Sequence, residues 1–158
     1  MKRTILLAST AAVLLAIATA CSTSRASAPA TPETPVSPAE PAPFEGTTWR
    51  LLELRGTAAK PGMKSEPPHV VFQADVSSVR GHGGVNSFFG PYVQDGSTLR
   101  VERLASTRMA GPTEIMDQES ALLDALQAAR SWRVTGDVLE IFDVRGAMLG
   151  RFRAGQSE

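Results

Sequence analysis

One cysteine in 158 residues leaves this chain no internal disulfide, no thiolate zinc cage and no paired-thiol redox motif. An excess of charge of one sign is missing as well. Sixteen basic and sixteen acidic side chains balance to a formal net charge of zero, and no long Lys/Arg run occurs. That excludes the clustered cations a nucleic-acid-binding protein uses against phosphates. The longest apolar run, Ile5 to Ala20, falls short of the about 20 residues a bilayer-spanning helix needs. Histidine is scarce: His69 and His82 stand at no HxH or HExxH spacing, so no metal is expected. The length allows one domain with an appendage.

The appendage is N-terminal. Lys2 and Arg3 precede the apolar run, which ends in the small residues Ala18-Thr19-Ala20. This is the pattern of a cleaved secretory signal over residues 1–20. Cys21 follows at once and resembles the lipobox cysteine of bacterial lipoproteins, which is acylated and becomes the mature N-terminus; the family usually carries Leu where this chain has Ala18. Cleavage by ordinary signal peptidase, giving a soluble periplasmic protein, is the alternative. Ser22 lacks the Asp that retains such lipoproteins at the inner membrane, so the resemblance implies the periplasmic face of the outer membrane. From residue 22 to 43 six prolines alternate with Ala, Ser and Thr. Proline fixes φ and removes ladder donors, so residues 21–43 are expected to be a disordered tether. Its reach, at about 3.1 Å per residue where polyproline-II-like, is roughly 70 Å.

All nine aromatic residues lie at or after Phe44, which starts the expected domain, 44–154. Short apolar segments separated by turn signals follow: Trp49 to Leu54, Val70 to Phe72, Val76 to Arg80 and Phe88 to Val93. Asp95-Gly96 is a strong hairpin signal, followed at period two by Leu99 and Val101. Trp132 and Val134, Leu139 and Ile141, and Leu149 to Phe152 complete a meander with turns at Gly136-Asp137 and Arg145-Gly146. Only 113–130 has helical periodicity, in Ile115, Met116, Leu122, Leu123, Leu126 and Ala129. Thr113 is the expected N-cap, and Glu114, Asp117 and Glu119 suit the helix dipole as solvated carboxylates. The expected fold is mostly β (α+β): an antiparallel curved sheet or small β-barrel with one packed α-helix.

Three blocks carry a family pattern. FEGTTWRLLELRG resembles the "GTxWxLxxLxG" opening of the META, or HslJ-like, domain. GHGGVNSFFGPY resembles its "GxxGCNxxxGxY" block through Gly81, Gly84, Asn86, Gly90 and Tyr92. ASTRMAGP with the following helix resembles its "TxMAC" block. The resemblance implies a small β-rich, barrel-like fold with a helix, often in a lipoprotein, and an association with envelope or heat stress; it brings no catalytic residues. Many relatives carry Cys where this chain has Val85 and Gly111. The paired absence here is what a bridge in those relatives implies.

Gly81-His82-Gly83-Gly84 lacks the GK[ST] or strand–GxGxxG–helix setting of a phosphate loop and reads as a bulged or tight inter-strand segment needing φ > 0. Ser87, His82 and Asp95 have no nucleophile-elbow context. The candidate binding residues are Arg108, which can pair with Glu119 or face a partner, together with Asn86, Tyr92 and His82. For Asn86 and Tyr92 a structural role competes with binding. No catalytic residue and no cofactor are expected. The functional expectation is a non-enzymatic, monomeric, periplasm-facing lipoprotein, held to the membrane through Cys21, that binds an envelope protein. The alternatives are a hydrolase inhibitor of the lysozyme-inhibitor kind, inserting Arg108 or the His82 loop, and a small-ligand barrel.

Overall fold

The computed structural model describes residues 40–155. The expected leader, Cys21 and the tether as far as residue 39 lie outside them. Ten strands are described: β1 (Trp49–Leu54), β2 (Thr57–Ala58), β3 (His69–Gln73), β4 (Ser78–His82), β5 (Ser87–Asp95), β6 (Thr98–Val101), β7 (Ala105–Ser106), β8 (Ser131–Thr135), β9 (Val138–Phe142) and β10 (Met148–Ala154). One α-helix, α1 (Thr113–Ala128), joins β7 to β8. No described helix is long and apolar enough to cross a membrane.

All strand pairings are antiparallel, and they return to their start. β1 pairs with β10 and the ladder runs on through β9, β8, β6, β5, β4 and β3 back to β1, with β2 attached to β1 and β7 to β5. The circuit of eight strands is narrowest where β6 meets β8, through Thr98 and Ser131 alone, and where β1 meets β3, through two residue pairs. Irregular register in β1 at Leu51/Glu53 and in β10 at Met148/Gly150 marks bulges, which bend the sheet. Alternation then separates inside from outside. On β5, Phe88, Gly90 and Tyr92 are buried while Ser87, Phe89, Pro91 and Val93 are exposed.

The interior is filled by side chains. Trp49, Val70, Phe72, Leu99, Leu139, Ile141 and Phe152 from the strands meet Leu122, Ala125 and Leu126 from α1. Phe44, ahead of β1, stacks between Phe72 and Trp132 at centroid distances of 4.4 and 4.1 Å. Its carbonyl accepts the Trp49 indole N–H at 2.8 Å, which fixes the chain's entry into the fold.

The mostly-β fold with one packed helix is borne out, with local differences. The hairpin after β5 turns on Gly96-Ser97, one residue later than Asp95-Gly96, because Gly96 carries the positive φ of +54° at the first loop position. Val76 and Ser77 belong to a turn, and Ser77 takes a φ of +46° there. Thr113 is the first helical residue, not the cap; Pro112 stands at the N-cap with no side-chain hydrogen bond. The helix ends at Ala128, short of Arg130, because the Arg130 N–H donates to Phe142 O at 2.8 Å. The Arg130 guanidinium caps the helix instead, donating to Gln127 O and Ala129 O.

The outward face of β8–β10 is held by ion pairs. Arg133 and Arg151 both bond Glu140, Arg151 reaches Glu53 as well, and Arg153 pairs with Asp137. The Arg133 hydrogen bond keeps the Glu140 carboxyl below the usual carboxylate range, against the opposing effect of burial.

Candidate functional site

The block from Gly81 to Tyr92 leaves β4, crosses to β5 and brings three structural demands together. Gly81 lies where a Cβ would stand 2.1 Å from His69 O and 2.6 Å from the Phe88 ring. At Gly83 a Cβ would stand 2.3 Å from Glu119 Cγ. Crowding therefore fixes these two glycines, and of the three only Gly84 has a positive φ, +125°. The expected positive φ is thus met at Gly84, and crowding sets the other two.

Glu119 is the residue this crowding serves. It is 5% exposed, and its carboxylate accepts from Val85 N at 3.0 Å, Asn86 N at 2.7 Å and Asn86 Nδ2 at 2.7 Å. Its reading as a solvated carboxylate of the first helical turns is overturned. Arg108 does not pair with it either: every Glu119 bond above goes to Val85 or Asn86, and Arg108 is exposed with no ion pair among the described residues. Glu114 does sit in solvent, where a Lys60 hydrogen bond lowers its carboxyl.

Asn86 is fully engaged. Its Oδ1 accepts from Met109 N at 2.7 Å and Thr107 Oγ1 at 2.8 Å, while Nδ2 donates to Glu119 Oε1 and to Met109 O at 3.2 Å. Two donors and two lone pairs are all an amide has. Asn86 thus ties the β4–β5 connection to α1 and to the segment after β7, with no valence left for a ligand.

Tyr92 is buried as well. Its ring meets Phe72 edge-on at 5.2 Å and its hydroxyl donates to Glu45 Oε1. Burial first, then the Glu45 carboxylate, raises the phenol well above its ordinary value. Tyr92 is the chain's single tyrosine, so an absorbance titration reads it alone. We expect no tyrosinate in the folded protein at pH about 10, where an exposed phenol is half ionised. The sign follows from linkage: a raised folded value contributes stability that is complete below pH about 10 and is lost as pH climbs beyond it. Half-ionisation at pH about 10 without unfolding contradicts this.

His82 and Arg80 point to a different place. Pairing register lines up His69, His82 and Ser87 across β3, β4 and β5, and beside them Val71, Arg80 and Phe89. These two rows, with Thr48 and Glu66, line an open groove of about 580 Å3 on the outer face. The histidine rings lie 6.3 Å apart and nearly parallel. Gly84 N donates to His82 Nδ1 at 3.2 Å, which leaves the proton of the neutral ring on Nε2. A second groove of about 250 Å3 shares Glu66 and His82 and adds Met63, Val85, Met109 and Ala110. Among the described residues no group of three His, Cys, Asp or Glu side chains is arranged to hold a metal. Sequence reasoning missed Arg80 and Phe89, because only strand register makes them neighbours.

The sequence profile of the META domain matches residues 42–156. Three solved structures are similar in fold. A protein from Burkholderia xenovorans, solved by NMR, is 20% identical with a TM-score of 0.55, over 82% of this chain and 100% of that one. A second NMR structure is 15% identical with a TM-score of 0.55, covering 70% of this chain and 91% of its own. A crystal structure of a DUF4847 family protein from Bacteroides vulgatus is 15% identical with a TM-score of 0.50, over 73% of this chain and 96% of that one. No curated protein matches.

Proposed function

The chain belongs to the META domain family, and on that premise we propose that it is a non-enzymatic interaction module of the bacterial envelope. A lipid on Cys21 holds it at the periplasmic face of the outer membrane, where it binds an envelope protein, in keeping with the stress association of META domains. One observation carries the reading. Large exposed apolar side chains gather on one side of the domain: Met63 and Met109 line the smaller groove and Phe89, 63% exposed, lines the larger. Contiguous exposed apolar surface on a soluble domain marks an interaction site. Asn86 and Tyr92, engaged inside the fold, add nothing to it. The filled interior weighs against small-ligand carriage.

The inhibitor reading keeps one support. Arg108 and Met109 are exposed side by side on an irregular segment, whereas Gly83, Gly84 and Val85 beside His82 are buried. A probe inserted into a hydrolase would therefore carry Arg108.

Two measurements test the proposal. The intact mass of the protein extracted from the membrane fraction is expected to show acylated Cys21; an unmodified, soluble protein overturns the anchor. The detergent-solubilised full chain, immobilised and exposed to envelope extract, is expected to retain one stoichiometric protein. A hydrolase in that position establishes the inhibitor reading, and an empty column overturns the module.

A further inference from the structure

The two outward faces of the domain treat their arginines differently. On β8–β10 every outward arginine of the ladder, Arg133, Arg151 and Arg153, is held by a carboxylate. Around the β3–β5 groove, Arg80 and Arg103 have no carboxylate within ion-pair distance among the described residues. Arg80 is the cross-strand partner of both Val71 and Phe89. Arg103 lines an adjoining depression of about 310 Å3 that it shares with Phe89 and Val76. Phe89 therefore lines two adjoining hollows, one with Arg80 and the other with Arg103. Of the six large apolar residues exposed among the described residues, Met63, Val76, Phe89 and Met109 line this connected band, whereas Val93 lies further along β5 opposite Arg100 and Val144 sits apart on the β9–β10 turn. Glu66 is the one carboxylate lining the two grooves.

We propose that the outer face of β3, β4 and β5, centred on Arg80 and Phe89, docks a partner-protein segment that presents carboxylates beside an apolar side chain. The inference rests on the interaction-module reading and gives its partner a chemistry. Arginine and aromatic side chains dominate the energetics of protein interfaces, the ring by desolvated contact and the guanidinium by bidentate recognition of a carboxylate. A sheet face evolved only for solubility needs neither feature, since paired charges like those on β8–β10 suffice. The charge pattern also selects the occupant. A basic segment in the two grooves and the Arg103 depression would meet Arg80 and Arg103 with only Glu66 beside them, whereas an acidic one neutralises both; Glu45 and Asp75 line a separate depression on the other side of Arg80, and Glu45 already accepts from the Tyr92 hydroxyl.

The test is site-specific photocrosslinking of the full chain in its own cells, with p-benzoyl-phenylalanine placed at position 89 or, as control, at position 144, which is 82% exposed. We expect one protein adduct from position 89 and none from 144, with an Asp or Glu in the captured peptide. Adding Arg80→Glu to the crosslinker at position 89 is expected to cut the adduct about tenfold, the effect of roughly 1.4 kcal/mol, while Arg80→Lys retains most of it. Arg80 is exposed, so both variants should melt with the parent, and that is checked alongside. An adduct indifferent to Arg80→Glu, a captured peptide rich in Lys and Arg, a second copy of this chain, or lipid alone overturns the proposal. Protein adducts at 144 with none at 89 overturn this face but leave the module reading standing. Protein adducts at neither position overturn both.

Discussion

Glu119→Ala is expected to destabilise the domain by about 4 kcal/mol, because it strips the acceptors from three buried donors at once. Val85 N–H, Asn86 N–H and Asn86 Nδ2 all point at this one carboxylate, and all lie in a region closed to solvent. Each unsatisfied buried donor costs about 1–3 kcal/mol, and the truncation opens a void beside Gly83 where water recovers part of the loss. Against a total stability of about 5–15 kcal/mol the change is large, and the melting temperature should fall by roughly 15 °C. Glu119→Gln separates charge from geometry. Its carbonyl oxygen can still take both backbone N–H groups, but its amide nitrogen then faces the Asn86 amide nitrogen, donor against donor. Flipping Asn86 would only move the conflict to Met109, setting Nδ2 against its N–H and Oδ1 against its carbonyl. We expect Glu119→Gln to cost about 2 kcal/mol, with Asn86→Ala/Glu119→Ala short of additive because both remove the Asn86 Nδ2–Glu119 bond. Chemical denaturation of the parent, both Glu119 variants, Asn86→Ala and the double variant measures this. A loss below about 1 kcal/mol for Glu119→Ala would sink the clasp as a stabilising element.

The sequence held more about Glu119 than its charge suggested. Ile115, Glu119, Leu122 and Leu126 recur at the four-three-four spacing of one helix face, so Glu119 fills a slot in the apolar stripe. Glu114 and Asp117 fall on the other side and are exposed. Charge composition pointed to solvent for all three; periodicity alone distinguishes them. The strands were legible for the same reason that Glu119 could have been. Alternation at period two, interrupted at Gly96, Gly136 and Gly146, records the backbone's own geometry, and these three glycines all carry positive φ. The groove was not legible. Val71, Arg80 and Phe89 are far apart in sequence, and only the register of β3 on β4 and β4 on β5 lines them up. A slip of one residue in either pairing would send every one of those side chains to the opposite face. No local pattern encodes that choice.

Val85→Cys/Gly111→Cys is expected to form a disulfide and raise the melting temperature by about 10 °C. An ideal Cβ at Gly111 stands 3.4 Å from Val85 Cβ, just below the Cβ–Cβ range of disulfides, about 3.5–4.5 Å, so a small outward shift seats the bridge. The same Cβ would stand 2.6 Å from Val85 Cγ2, so the valine methyl occupies the space a bridging sulfur needs. Valine at 85 and glycine at 111 are thus two halves of one packing solution, with Val85 buried to 2% exposure. A bridge between them closes a loop of about 27 residues, which the chain-entropy model values at about 3.5 kcal/mol. Losing the two valine methyls returns part of that gain. The single changes differ in sign. Gly111→Ala should cost about 1–3 kcal/mol by overpacking, and Val85→Ala in the same chain should restore part of the loss by clearing Cγ2. Mass spectrometry and melting with and without reductant read the outcome. The native sequence, with Cys21 alone, should melt identically in both conditions, while the double variant should lose its gain on reduction. A double variant that stays reduced in air, or melts no higher than the parent, would show that positions 85 and 111 do not approach as closely as the packing of Val85 requires.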